Sequence, residues 1–397
     1  IMSIAHGDAG GPPKESNLIT LLRDTDRDGR VDERHDLLTG LHSPFGVAFA
    51  DDTLYVAATD AILAYPYRLG DTEITAAPRV LTPLPGGPID HHWTKDLALS
   101  PDGRFLYVSV GSNSNIVENG LEAEKGRAAI WQVDRQTGAA RVFASGLRNP
   151  NGLTFNPTTG ALWAVVNERD ELGPNLVPDY MTSVKDGAFY GWPWSYYGQH
   201  VDKRVHPQRP DMVEKAIAPD YALSSHVAAL GLTFSTGSAL PQPYANGAFI
   251  GEHGSWNRQV LNGYKVVYVP FEGGKPSGPA QDVVTGFLNG EGQARGYVVA
   301  PGSRRKVILT RRHGRLFGWL DACPHYPGGT PMAWRSDAYL NGEGTHLACH
   351  SHGALFDLET GECVLGPCLG QGLKRVELMV TEEGDVLIAS SVREERL

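Results

Sequence analysis

One hydrophobic phrase recurs along the first three-quarters of the chain. It appears as SPFGVAFADDTLYVAA from Ser43, WTKDLALSPDGRFLYVSVG from Trp93, NPNGLTFNPTTGALWAVV from Asn149, and LGLTFSTG from Leu230 with GAFIGEHG following. Alternating apolar residues such as Val47 and Phe49, or Leu97 and Leu99, lead into a turn and a second β-rich run, which predicts a hairpin. The repeats are irregularly spaced, as expected when loops between radially arranged four-stranded blades carry insertions. The pattern therefore predicts a mostly β protein built as a β-propeller. A β-sandwich with long loops is the alternative, but sandwich strands rarely repeat a phrase so closely.

Composition narrows the partners. The 397 residues suffice for two domains and carry a formal charge of -10, with no basic block to meet a phosphate backbone, so nucleic acid is not an expected partner. No run of 18 apolar residues exists, and the opening IMSIAHGDAGG lacks the charged and apolar regions of a signal peptide. Beginning on Ile1 rather than Met, the chain reads as a fragment or a fusion with a piece missing upstream. The 47 glycines and 27 prolines fit turn-rich β structure.

Longer motifs carry a family resemblance over residues 7–296: DTDRDGRVDE (24–33), HHWTKDLALSPDG (91–103), GLRNPNGLTF (146–155), NERDELGPNLVPDY (167–180), GAFYGWPWSYYGQHVDKRVHPQRPD (187–211) and GEHGSWNR (251–258). Together they resemble the quinoprotein propellers related to soluble glucose dehydrogenase, especially the sorbosone dehydrogenase-like branch. The resemblance implies a six-bladed propeller that binds pyrroloquinoline quinone with calcium in the mouth of its channel and oxidises sugars or related aldehydes.

Oxidation of a carbinol by hydride transfer needs a base for the hydroxyl proton and an electron sink that no side chain supplies. By resemblance His92 is the base, with His91 assisting, and Arg148 and Asn149 face the quinone oxygens, where fixed donors stabilise growing negative charge. In LGPN, Leu172 falls beside the cofactor, and Gly173 and Pro174 match the positions whose carbonyls ligate its calcium. On the residues alone, a loop histidine and a tight Gly-Pro turn explain these positions as well. Asp24, Asp26 and Asp28 before Gly29 form the first half of a calcium loop; with His35 at the twelfth position this is either a structural calcium site or a solvated acidic turn. After GFLNGEGQA the resemblance stops. The family's final arginine-bearing blade is not visible, so the propeller is expected to be incomplete, with Arg258 and Arg295 as candidate anion anchors.

The chain's four cysteines all fall late. Cys323-Pro-His325 and Cys349-His350-Ser351-His352 give C-x-H and C-x-x-H, a donor set for tetrahedral zinc or for a [2Fe–2S] cluster with two cysteines on one iron and two histidines on the other. DACPHYPGGTPM and ACHSHGALFDLETGECVLGPC resemble the ligand loops of Rieske domains of the ferredoxin and oxygenase type, over residues 306–389. That resemblance implies a cluster on Cys323, His325, Cys349 and His352, with His346 and His350 outside the ligand set. Cys363 and Cys368 form a small disulfide or stay as buried thiols, and the second is preferred because nothing else signals an oxidising compartment.

The combined expectation is a quinoprotein propeller over residues 1–300 and a small all-β Rieske domain over 301–397. The propeller would oxidise a small sugar or aldehyde and pass electrons to the tethered cluster and on to a redox partner; tethering raises the effective concentration of the acceptor. The alternative is a Rieske electron carrier on a catalytically inactive propeller. The propeller resemblance implies the periplasm, and the Rieske type the cytoplasm.

Overall fold

The computed structural model describes residues 17–89, 91–237, 240–258, 261–285, 287, 306–312, 315–325, 329–333, 339–341, 345–351, 353–379, 386 and 388, and the backbone alone at 2–3, 293–298, 380 and 387. It divides into two compact units, Ile1–Phe287 and Leu288–Leu397. The division precedes residue 300 because Gln293–Val298 pairs along its length with Lys306–Arg312 of the second unit.

Among its described residues the first unit holds five successive antiparallel sheets of three or more strands, with a two-stranded pair, Ser195–Tyr196 and His200–Val201, inserted in the fourth. The first sheet has three strands, Met2–Ser3, Ile19–Arg23 and Glu33–Leu38. Three four-stranded meanders follow: Val47–Ala50, Thr53–Ala57, Ala61–Pro66 and Arg79–Pro83; Leu97–Leu99, Phe105–Val110, Ala129–Asp134 and Ala140–Ser145; Asn149–Phe155, Leu162–Asn167, Pro178–Ser183 and Tyr221–Ser225. The fifth runs Ala229–Phe234, Gly247–Glu252 and Lys265–Glu272, which pairs further with Lys275–Pro276 and Gln281–Val284. This is the blade succession of a β-propeller. Each repeated phrase is a pair of antiparallel strands, as expected, and the pair is the first two strands of a blade.

Blade stacking explains why the second strands read as unbroken apolar runs. A blade between two others is buried on both faces, so successive side chains enter different cores. In Thr53–Ala57, Leu54 and Val56 pack with Ile19, Leu21 and Leu37 of the first sheet, whereas Tyr55 and Ala57 pack with Leu97, Leu106 and Val108 of the third. Likewise Leu162, Ala164 and Val166 face Ile130 and Ala144, while Trp163 and Val165 face Ile250 and Val267. Each such Leu, Ile or Val side chain taken from water contributes about 1.5–3 kcal/mol. The long insertion in the fourth blade covers a free edge: Phe189 bridges in parallel to Ser145 on the third blade's outer strand and to Ala216.

The inner strands approach almost backbone to backbone. A Cβ at Gly46 would stand 2.7 Å from the Asp96 carbonyl carbon and from Lys95 O, and one at Gly152 would stand 2.9 Å from Leu232 N. Between these two contacts the half-buried Asp96 carboxylate accepts the Leu153 amide at 2.7 Å.

The second unit is all β. Lys306–Arg312 and Arg315–Leu320 sit in one sheet with Gln293–Val298 and Arg375–Val376, and His346–Ala348, Leu355–Asp357 and Cys363–Leu365 form another. Its core gathers Ile308, Trp319, Met332, Leu347, Phe356 and all four cysteines. Among the described residues no helix is long and apolar enough to cross a membrane.

Gly46→Ala is expected to lower the stability of the propeller unit by about 1–3 kcal/mol, because the added methyl meets backbone that cannot step aside. Gly231→Ala, whose added carbon would meet nothing closer than 3.9 Å, should change it little. Urea unfolding of the two variants, followed by far-UV circular dichroism, checks the contrast.

Candidate active site and metal centre

In the propeller unit the described residues expected at a quinone gather where the second strand of the third blade runs out into Gly111-Ser112-Asn113-Ser114-Asn115 and the fourth blade begins at Asn149. Gly111 makes the gathering sterically feasible. A Cβ there would stand 2.5 Å from His92 Cβ and overlap Asn149 Oδ1. Half-buried His92 has Nδ1 at 2.9 Å from Ser112 O and 3.0 Å from Ser112 Oγ. A carbonyl only accepts, so Nδ1 carries the proton and Nε2 is the bare, basic nitrogen. Burial, then the Arg148 and His91 charges, push the His92 pKa well below its ordinary value, so the neutral ring dominates at neutral pH. Exposed His91 packs edge-on to it at 4.4 Å, and burial and Arg148 lower its pKa too.

Arg148 is 3% exposed and clamped. Its Nε donates to Asn115 O at 3.3 Å, Nη1 to Glu168 O at 2.8 Å, and Nη2 to Asp170 Oδ2 at 3.1 Å. Asn149 is buried beside it, and its Oδ1 has no hydrogen-bond partner among the described residues. A buried amide oxygen left this way is costly unless another group completes it.

Asp170 joins this cluster to the Leu172-Gly173-Pro174 loop. Its Oδ1 accepts from Asn257 Nδ2 at 2.8 Å and from His226 Nδ1 at 3.2 Å, while His226 Nε2 lies 3.0 Å from Gly173 O. Both of those His226 partners accept, and Nδ1 also lies 3.2 Å from the Asn257 amide nitrogen, a donor. Burial works against the His226 charge, but the bonds to Asp170 and Gly173 outweigh it and raise the pKa. Burial likewise acts to raise Asp170, and the His226 bond and the Arg148 charge bring it below the carboxylate norm. Leu172 is half-buried, Gly173 and Pro174 are exposed, and Arg258 reaches the loop through Asn175 Oδ1 at 3.4 Å and Ser225 O at 3.3 Å. Behind the cluster, burial raises Glu168 and Asp179 to about 7. Asp179 accepts the amides of Glu168 and Ala228, both at 2.8 Å, and thereby ties the fourth blade to the fifth.

Sequence reasoning missed Ser112, Asn115, Asp170, His226 and Asn257. The run GSNSN after a strand was a readable sign of a polar loop, but nothing local to Asp170 or His226 announces their meeting across 56 positions. Arg295 lies in the second unit, on Gln293–Val298 opposite Leu309. Asp24, Asp26 and Asp28 bring carboxylate oxygens within 4.8 Å of one another, all exposed. Local amides occupy them: Gly29 N–H meets Asp24 Oδ2 at 2.9 Å and Arg30 N–H meets Asp28 Oδ1 at 2.7 Å. A solvated acidic turn needs nothing more.

In the second unit Cys323, His325 and Cys349 place ligand atoms within 4.8 Å of one another. Cys323 Sγ is 2.8 Å from His325 Nδ1, which is 4.0 Å from Cys349 Sγ. His352, the expected fourth ligand, lies outside the described residues. His350 is turned away, with Nδ1 2.9 Å from Met332 O, and His346 Nδ1 meets Thr345 Oγ1 at 2.9 Å. All four cysteines are free and buried. Burial pushes the Cys323 thiol far up, a cost that a bound metal would reverse by taking the thiolate.

Residues 19–183 and 203–288 match the TrAA12-like family model, more than half of the chain. The chain belongs to the TrAA12-like family. Residues 289–382 match the Rieske [2Fe-2S] domain model, so this TrAA12-like chain carries a C-terminal Rieske domain. It is 28% identical over 237 residues to an uncharacterized protein of Borreliella burgdorferi (57% of this chain, 61% of that one). It is 26% identical over 257 residues to the pyrroloquinoline quinone-dependent pyranose dehydrogenase of Coprinopsis cinerea (54% and 34%). It is 28% identical over 191 residues to the aldose sugar dehydrogenase YliI of Escherichia coli (44% and 49%). The alignments thus span 34–61% of these relatives' lengths. In fold, the calcium structure of the Trichoderma reesei family AA12 enzyme aligns with a TM-score of 0.59 at 21% identity, covering 79% of this chain and 86% of that one. The holo pyranose dehydrogenase PQQ domain from Coprinopsis cinerea aligns at 0.56 and 20%, covering 74% and 85%.

The electrostatics of His92 are directly measurable. Nuclear magnetic resonance of histidine-labelled protein should find the ring neutral, protonated at Nδ1, with a pKa below 6.5. Arg148→Met should raise that pKa without restoring the ordinary value, because burial is the larger cause.

Proposed function

We propose that this protein oxidises a small carbohydrate, an aldose or a sugar-derived aldehyde, at pyrroloquinoline quinone bound with calcium in the propeller mouth. The electrons would leave through a [2Fe–2S] cluster in the Rieske domain to a partner protein or other acceptor. The observation that carries the reading is the meeting of a neutral, Nε2-basic His92 with a clamped Arg148 and an uncompleted Asn149 amide around Gly111. It is supported by the family match and by relatives whose names specify pyranose and aldose sugar dehydrogenases. The periplasmic placement implied by the propeller resemblance belongs to the same reading.

The residues suit the group. Bound quinone would supply the two-electron sink that side chains lack. His92 Nε2 takes the substrate hydroxyl proton, and the Nδ1 bond to Ser112 holds the ring for it. Arg148 presents a fixed positive charge whose position costs no reorganisation, and Asn149 contributes its amide. The Gly173 carbonyl, which keeps a second lone pair beyond its His226 bond, and the exposed Pro174 would hold the calcium, with Leu172, His91 and Arg258 at the rim. In the Rieske domain Cys323, His325, Cys349 and His352 would hold the cluster, two soft thiolates on one iron and two imidazoles on the other.

One observation favours the second reading, an electron carrier on an inactive propeller. Much of the Arg148 fork is engaged by Asn115, Glu168 and Asp170, and His226 Nε2 already occupies the Gly173 carbonyl at 3.0 Å, where a divalent ion would have to bind.

Two experiments decide. The reduced full chain should give a Rieske-type electron paramagnetic resonance signal that Cys349→Ser abolishes; a colourless chain with one zinc, after expression with iron supplied, would refute the cluster. With pyrroloquinoline quinone and calcium added, an aldose or aldehyde should drive dye reduction, and His92→Ala should lower kcat by about 10²–10⁴ while quinone binding persists. A base must be neutral to act, and His92 is neutral above its depressed pKa. The rate should therefore hold through the usual histidine range and fall only at lower pH. Calorimetry that finds no quinone binding with calcium present would leave the carrier reading.

A further inference from the structure

The geometry points to Cys368 as a hydrogen-bond donor to the cluster ligand Cys323, a positioning residue that raises the reduction potential of the Rieske centre. The inference rests on the reading of Cys323 as a ligand. Cys323 Sγ and Cys368 Sγ lie 3.6 Å apart, and both residues are 0% exposed within the core that also holds Cys349. The two other groups near this sulfur, His325 and Cys349, are themselves proposed ligands. Cys368 belongs to a different segment, the turn that leaves the Cys363–Leu365 strand.

That turn is held firmly against the second ligand loop. Gly366 has φ +102°, and a Cβ there would stand 2.8 Å from Ala354 Cα, while Ala354 O accepts the Cys349 amide at 2.8 Å. The Cys368 carbonyl accepts Gln371 N–H at 2.9 Å, and Gln371 O accepts Cys363 N–H at 2.9 Å. The fold therefore fixes the Cys368 backbone from both sides and points its thiol at Cys323. Cys363 differs: its thiol donates to Leu365 O in its own strand at 3.2 Å.

The donor and acceptor follow from the chemistry. A ligating Cys323 is a thiolate with no proton to give, so Cys368 must keep its proton and donate S–H to it. Such a bond strengthens when an added electron raises the negative charge on the cluster sulfurs. It therefore stabilises the reduced form more than the oxidised form and raises the potential. Cys368 itself is neither oxidised nor bound to iron in this role.

The test uses the full chain and its Cys368→Ala and Cys368→Ser variants, read by redox titration of the electron paramagnetic resonance signal and by electron–nuclear double resonance after exchange into deuterated water. The alanine variant should keep the cluster signal, show a lower midpoint potential and lose one exchangeable deuteron coupling. Serine, which keeps a donor, should recover the coupling and part of the potential. An alanine variant with unchanged potential and unchanged coupling would overturn the inference while leaving the ligand reading intact. A wild-type chain that never yields the signal would remove the ligand reading and this one together. Loss of the Rieske signal in folded Cys368→Ser would make Cys368 a ligand and would also overturn it. Should the alanine variant fail to fold, the deuteron coupling in wild type decides: its absence refutes the donor role.

Discussion

The close approach of the inner strands is the constraint on which the propeller unit depends. Gly46 lies against Lys95 and Asp96, Asp96 holds the Leu153 amide, and Gly152 lies against Gly231 and Leu232. These contacts link four blades in order, two by bare backbone approach at a glycine and one through the Asp96 carboxylate, and the apolar stacks farther out then close face to face. Packing at this density leaves no freedom to move one strand end by a fraction of an ångström without disturbing its neighbour. The ends of those strands carry the candidate chemistry. Arg148 and Asn149 begin one inner strand, and His92 stands a few residues before another. Their convergence is therefore a consequence of blade packing rather than of any local loop preference.

Asp170 is the electrostatic counterpart of that constraint. A single half-buried carboxylate faces the buried Arg148 and His226 and also Asn257, and its own amide is held by Asn115 Oδ1 at 2.8 Å. An unpaired charge at this depth would cost several kcal/mol, and the carboxylate offsets it for the guanidinium and the imidazole at once. The same pairing immobilises Arg148. A guanidinium anchored on carbonyls and one carboxylate is already in place when negative charge develops nearby, the condition under which fixed dipoles and charges accelerate a reaction. Burial is the main reason His92 stays neutral, and the permanent positive charge of Arg148 beside it adds to the effect by disfavouring a second one.

The Rieske domain solves a different problem with the same economy of groups. Four buried thiols in one small core would be an odd composition for packing alone, although free cysteine packs as a small hydrophobe. Two of them face His325, one donates within its own strand, and the last faces Cys323. The hairpin FDLETG supplies the rigidity: Asp357 Oδ1 accepts the amides of Glu359 and Thr360 at 2.9 and 2.8 Å, and Trp319 packs where a side chain on Gly361 would lie.

Much of this was legible in the sequence. Hairpins recur because alternating and continuous apolar runs have only one stable way to be buried, and the repeat of the phrase carried the blade succession. The C-x-H and C-x-x-H spacings likewise pointed to a candidate ligand set, because donor type and separation are local properties, and the structure places three of those donors, Cys323, His325 and Cys349, together. Tertiary structure alone decided the rest. It moved the Gln293–Val298 strand and Arg295 into the second unit through pairing with Lys306–Arg312. It brought His226 to Asp170 and Gly173, and Cys368 to Cys323 across 45 positions. Contacts at such separations leave no periodicity in the chain; they depend on how whole sheets stack, which is a property of the packed core rather than of any window of residues.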